Sequence, residues 1–289
     1  MLNIELIFTT LVPVMLFIMM MGMGLSLTLA DLWRIVKYPK AALIGLVGQL
    51  LFLPLLAFGL ANLLAVPPAI AAGGMLLAAC PGGVTSNGYV FVSRGDVSLS
   101  VTLTAITSLL TIVTIPLIAW LAMQYYYGDS EYLDLPVLNI VGRLVLITAL
   151  PVSLGMVIRH YAPIFADVAV EKVRQLSLAL LIVIIVGATL GSWHTVRDHF
   201  LEAGLLAVCL NVIAMVSGWS VARFARLPAP QVISITYEIG VQNLSLAVMV
   251  AISILQKPEL AILAVVYALI MKITALSFMA YARRTQAAC

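Results

Sequence analysis

Charge is the scarcest property of this 289-residue chain: only 9% of its residues are Asp, Glu, Lys or Arg, against about 25% in an ordinary soluble domain. Cysteine is nearly as sparse. Cys80, Cys209 and Cys289 lie far apart, two in apolar runs and one at the chain end. An odd number with no motif spacing argues against a disulfide framework or a zinc site. The N-terminal segment MLNIELIFTT has no basic stretch and carries Glu5, so it reads as the start of a permanent helix and not as a cleaved signal. The net charge of +3 is dispersed over loops and gives no nucleic-acid footprint. No obligate protein partner is evident either. The three histidines, His160, His194 and His199, fall in or beside loops and read as solvated.

What is abundant is hydrocarbon. Hydrophobic residues make up 63% of the chain and the mean hydropathy is +1.15. One buried core cannot absorb that much apolar surface, so the solvent for most of the molecule is lipid. In lipid only helices and closed barrels satisfy their own backbone groups. Barrel strands alternate apolar and polar residues over about ten positions. Here the apolar runs are continuous and last about 20 residues, the length of a spanning helix. The expected fold is an all-α polytopic bundle with the lipid bilayer as its surroundings and no soluble domain.

Nine runs can be placed: 5–28, 40–64, 68–93, 96–124, 136–158, 174–194, 200–222, 229–254 and 259–281. Lys and Arg collect in cytoplasmic loops. With the N-terminus outside and the C-terminus cytoplasmic, eleven basic residues fall inside and only Arg197 and Lys257 outside. Arg143 and Lys272 lie within runs. The acidic loop YYYGDSEYLDLP is then external. Arg143 reads as snorkelling near the outer surface.

Two of the runs are interrupted. The third, MLLAACPGGVTSNGYVFVS, carries Pro81, Gly82 and Gly83 at its middle, followed by Thr85, Ser86 and Asn87. Proline removes a helical donor and clashes with the preceding turn, and two glycines after it make a continuous helix unfavourable. The eighth, QVISITYEIGVQNLSLAVMVAIS, carries Glu238, Gly240, Gln242, Asn243 and Ser245 at its middle. A carboxylate at mid-bilayer costs several kcal/mol unless it is paired or hydrated. Taken singly, each interruption also reads as a packing kink or as interhelical glue. Together, in helices running in opposite directions, they point to an inverted-repeat transporter. Half-helix N-termini attract an anionic group, and unwound carbonyls, hydroxyls and a carboxylate supply the oxygen ligands that suit an alkali or alkaline-earth cation. Ser100 and Thr104, four residues apart, share one face of the helix after the first break, although such hydroxyls also bond back to their own helix. Gln49 is a further polar side chain in an apolar run.

These residues resemble the bile acid:sodium symporter family. The resemblance rests on ACPGGVTSN, SRGDVSLSVTLTAITSLLTIVTIPL, YEIGVQN, MGMGLSL near the start and the stretch from Gln49 to Pro54, in that family's order over most of the chain. It implies a core domain of two inverted three-helix units, 40–124 and 200–282, whose middle helices break and cross. It also implies a panel domain formed by 5–30 and 136–194, in a nine-span form. It implies two sodium sites. The first would be built from Ser86, Asn87, Ser100, Thr104 and Glu238. The second would use Gln49, Glu238, Gln242 and the backbone carbonyls of Ile239 and Val241. The implied substrate is an organic anion held near the crossing, with Asn243 as the polar contact. Val84 stands where the family often has Thr or Asn, which leaves its backbone N–H, or Thr85 beside it, as the contact. Lys272 stands where the family usually has a neutral polar residue, and it either snorkels or pairs with an acid, or faces the cavity and holds the charge of the substrate.

The implied activity is sodium-coupled symport of a small organic anion by alternating access in a bacterial inner membrane. Family members carry bile acids, sulfated steroids and small carboxylates such as pantoate and keto acids, and a small metabolite anion fits a short bacterial chain best. A proton carried on Glu238 is the alternative coupling. An intramembrane enzyme needs paired aspartates, a Ser–His dyad or a His-rich metal site within the spans, and the Asp and His residues instead sit at span ends and loops. No catalytic residue is therefore expected. A channel is a further alternative, which saturable uptake with countertransport excludes.

Overall fold

A computed structural model describes residues 12–128, 137–173, 175–176, 197 and 200–287. Much of the sixth predicted run, the start of the first, and His194, His199 and Cys289 lie outside the described residues. Among those that are described, the chain is almost entirely helical. Five helices are long and apolar enough to cross a membrane: Pro39–Leu63, Val97–Tyr127, Val141–Tyr161, Phe200–Phe224 and Pro258–Thr285.

In chain order the helices are α1 (Val12–Leu25), α2 (Leu29–Lys37), α3 (Pro39–Leu63), α4 (Pro68–Ala79), α5 (Val84–Val92), α6 (Val97–Tyr127), α7 (Val137–Leu144), α8 (Leu150–Tyr161), α9 (Phe200–Phe224), α10 (Ala229–Gly240), α11 (Leu244–Ile254) and α12 (Ile262–Ala287). Proline opens several of them. Pro39, Pro68 and a proline in the first turn of α10 occupy positions where the missing N–H costs nothing. Inside α3 the ladder widens to a π-turn over Gly48–Phe52 just before Pro54. The same device precedes Pro151, where a π-turn over Val145–Ala149 joins α7 to α8. In both cases the looser turn precedes a ring that lacks a donor and would crowd the preceding turn.

The predicted third and eighth runs are both broken. The chain leaves helical geometry between Ala79 and Val84, and again between Gly240 and Leu244. The two breaks cross. Gly82 and Gln242 form an antiparallel bridge. Gly83 N–H donates to the Val241 carbonyl at 2.9 Å, and Asn243 N–H donates to the Pro81 carbonyl at 3.0 Å. Backbone groups freed by unwinding thus pair with each other, which is the condition for irregular backbone at membrane depth.

Other helices sheathe this crossing. Every residue of α4 from Ile70 to Ala79 is buried, as is every residue of α10 from Gln231 to Gly240. α9 lies along α10, α4 packs on α6, and α1 packs on α8. Polarity is inverted relative to a soluble protein. Glu238, Ser86, Ser100 and Thr104 are buried, whereas Leu51, Leu55, Val113 and Leu117 are exposed, as a lipid-facing surface requires.

Candidate ion and substrate site at the helix crossing

Glu238 lies in the last turn of α10, two residues before the break, and is fully buried. Three hydroxyls surround it. Thr104 Oγ1 donates to Oε1 at 2.6 Å, while Ser100 Oγ and Ser86 Oγ donate to Oε2 at 3.1 and 3.2 Å. Ser100 and Thr104 stand one turn apart on α6, so their hydroxyls reach the two carboxylate oxygens from the same side. Ser86 comes from the first turn of α5 and also donates to the Gly83 carbonyl at 2.7 Å. Asn87 is one step removed, since its Oδ1 accepts from Ser100 Oγ at 2.7 Å. All five residues assigned to the first site therefore meet, from α5, α6 and α10.

The space around the carboxylate is set by glycine. A Cβ built on Gly82 would lie 2.2 Å from Glu238 Oε1, and one on Gly83 would lie 2.9 Å from the Gln242 carbonyl oxygen. Both contacts are closer than side-chain carbons tolerate. The pair of glycines is thus required by the approach of one broken segment to the other.

On the other side of the crossing, Gln49 and Gln242 face each other. Gln49 Nε2 donates to Gln242 Oε1 at 2.8 Å and to the Cys80 carbonyl at 2.7 Å. Gln242 Nε2 donates to the Ile239 carbonyl at 2.8 Å and to Gln49 Oε1 at 3.3 Å. Gln49 sits inside the π-turn of α3. The residues assigned to the second site are therefore adjacent, with the Val241 carbonyl joined to Gly83 N–H. Every donor atom here is oxygen from a carboxylate, hydroxyl, amide or carbonyl. That is the ligand chemistry of hard cations. Among the described residues no three His, Cys, Asp or Glu side chains cluster.

The substrate-side residues divide. Val84 and Thr85 open α5, with Thr85 exposed. Asn243 caps α11, its Oδ1 accepting from Leu246 N–H at 3.1 Å. The N-termini of α5 and α11 thus both begin at the crossing, and their partial positive charges converge there. Lys272 is not part of this cluster. It is exposed on α12 on a stripe with Leu269, Ile273 and Leu276, while Tyr267 and Thr274 point inward from the other face. Arg143 is also exposed, as is His160.

Two further residues support the break and were not singled out from sequence. Asn211 of α9, fully buried, donates from Nδ2 to the Gly240 carbonyl at 2.8 Å and to Tyr267 OH at 3.0 Å. Tyr267 OH donates to the same carbonyl at 2.9 Å. Gly240 is the last helical residue before the break, so these groups satisfy a carbonyl that the helix has left unpaired. Asn211 is visible in sequence as a lone amide in LLAVCLNVIAMV. Tyr267 carries no such signal.

A family model described as the sodium bile acid symporter family matches residues 13–199. A sodium-dependent transporter of Bacillus subtilis, YocS, is 30% identical over 83% of this chain and 73% of its own length. A probable chloroplastic sodium/metabolite cotransporter of Arabidopsis thaliana, BASS1, is 32% identical over 81% of this chain and 57% of its own. A human sodium-dependent organic anion transporter is 27% identical over 85% of this chain and 64% of its own. The chain thus spans somewhat over half the length of the last two.

Proposed function

The chain belongs to the sodium bile acid symporter family, and on that premise we propose that it is a symporter that moves a small organic anion together with sodium by alternating access. The observation that carries the proposal is the fully buried Glu238 carboxylate, ringed by three hydroxyls at the crossing of two unwound helices. A lone buried carboxylate is stabilised by a cation that shares its oxygen shell.

Sodium is here a transported substrate. The first ion takes oxygens from Ser86, Asn87, Ser100, Thr104 and Glu238. The second takes oxygens from Gln49, Gln242, Glu238 and the carbonyls of Ile239 and Val241. One negative charge then offsets two cations in part. The anion is drawn to the N-termini of α5 and α11, where Thr85 and Asn243 and the backbone N–H of Val84 provide donors. Lys272 stands on the exposed stripe of α12, away from the crossing, and as a charge where the family usually has a neutral polar residue it is the candidate charge partner of the anion, to be tested by substitution. The core is formed by 40–124 and 200–282 as inverted repeats, and the panel by 5–30 and 136–194. The protein sits in a bacterial inner membrane with its N-terminus outside. Coupling arises because the loaded cation sites fix the crossing in the form that the anion prefers.

Uptake of radiolabelled small carboxylates into proteoliposomes, driven by an inward sodium gradient without a pH gradient, tests the proposal. Saturable uptake that collapses when potassium replaces sodium is expected. Stimulation by a pH gradient alone would instead assign the coupling to a proton on Glu238. In Lys272→Gln the apparent substrate affinity is expected to fall, and an unchanged value would remove Lys272 from the substrate path.

A further inference from the structure

Away from the crossing, α9, α10 and α12 enclose a cavity of about 420 Å³. Val212, Val216 and Trp219 line it from α9, Thr236 from α10, and Ser277 and Tyr281 from α12. It lies on the opposite face of α12 from Lys272, since Thr274, Phe278 and Tyr281 stand about half a turn from that position. Val212, Val216 and Tyr281 are each more than a third exposed, so the cavity is a groove open to the membrane.

Its serine and threonine hydroxyls are already engaged. Thr236 donates to the Val232 carbonyl at 2.8 Å and Ser277 to the Ile273 carbonyl at 2.8 Å. Thr274 donates to Asn211 Oδ1. The groove therefore presents an apolar wall suited to hydrocarbon. Its rim has the opposite character. On α9 the lining positions 212, 216 and 219 continue, one turn on, to Arg223, whose guanidinium carbon stands 5.3 Å from the Trp219 ring centroid. On α12 the positions 274, 277 and 281 continue, at the same spacing, to Arg284. Both helices end at this membrane face, and both arginines are exposed. Among the described residues neither has a carboxylate in salt-bridge range. Trp219 and Tyr281 sit between the apolar wall and the arginines, as interfacial aromatics do.

We infer that this groove is a binding site for an anionic phospholipid, with one acyl chain along Val212, Val216 and Trp219 and the phosphate between Arg223 and Arg284. The charge of the rim selects an acidic headgroup over a zwitterionic one. Each arginine near an anionic lipid surface contributes about 1 kcal/mol, a factor of about five in affinity.

The site is tested with the full chain carrying Trp33→Phe, Trp120→Phe and Trp193→Phe, which leaves Trp219 as the sole indole. In phosphatidylcholine vesicles, tail-brominated phosphatidylglycerol is expected to quench Trp219 at a mole fraction at least fivefold lower than brominated phosphatidylcholine. Arg223→Gln with Arg284→Gln should bring the two lipids level. Equal quenching by the two lipids without the arginine substitutions, or an undiminished preference with them, would overturn the assignment. If the triple background does not fold, native mass spectrometry of the unsubstituted chain decides. Retention of phosphatidylglycerol over phosphatidylcholine that is lost in the double arginine variant supports the site, and no retention difference overturns it.

Discussion

Gly82 and Glu238, 156 positions apart in sequence, approach so closely that a Cβ on the glycine would sit 2.2 Å from the carboxylate oxygen. One broken helix is shaped around the acid that the other carries. Gly82→Ala should therefore displace Glu238 from the hydroxyls of Ser86, Ser100 and Thr104. Sodium-stimulated uptake is expected to fall at least tenfold, with a lower melting temperature in detergent. Gly88→Ala, where an added Cβ meets no atom within 4 Å, should retain uptake.

Thr104 makes the shortest of the three bonds to Glu238. Thr104→Val keeps the shape and deletes the oxygen. The sodium concentration for half-maximal uptake should rise about tenfold, as for loss of a bond to a charged group of about 1.5 kcal/mol. Thr107→Val removes a hydroxyl that bonds only to carbonyls of its own helix, and its sodium dependence should be unchanged.

Gln49 and Gln242 bond to each other across the crossing. Their substitutions by Leu should not add. A double-mutant cycle on thermal stability is expected to give an interaction energy of about 1 kcal/mol, within the range for contacting residues. Simple additivity would mean that the pair does not act as a unit.

Asn211→Leu leaves the Gly240 carbonyl with Tyr267 alone. The expected cost is about 1–3 kcal/mol of stability, the penalty of a weakened buried polar network, seen as a fall in melting temperature. Tyr267→Phe should cost less, because Asn211 still reaches the carbonyl. Asn211→Leu with Tyr267→Phe should exceed the larger single effect.

Sequence reading reached the site further than it reached the packing. Pro81 with Gly82 and Gly83, and the polar run from Glu238 to Asn243, marked both breaks, because unwinding in lipid requires residues of those kinds. The grouping of Ser86, Asn87, Ser100 and Thr104 around Glu238 followed from helical spacing together with the family resemblance. The Gly82–Gln242 bridge was not legible, since it joins segments 160 positions apart through backbone groups that any residue carries. The π-turn at Gln49 was hidden for a similar reason: Pro54 signals a disturbed ladder, but not whether the helix kinks or widens. Asn211 could have been found as a lone amide in an apolar run, whereas Tyr267 looks like any core aromatic until its hydroxyl is placed at Gly240.

The most direct test of a cation held at Glu238 is thermal stability of the purified protein in detergent, with sodium against potassium at equal ionic strength. A ligand that binds only the folded state raises its stability in proportion to the logarithm of its concentration. The melting temperature should rise with sodium but not with potassium, and Glu238→Gln should abolish the difference. An equal response to both ions, or a sodium shift that survives in Glu238→Gln, would contradict it.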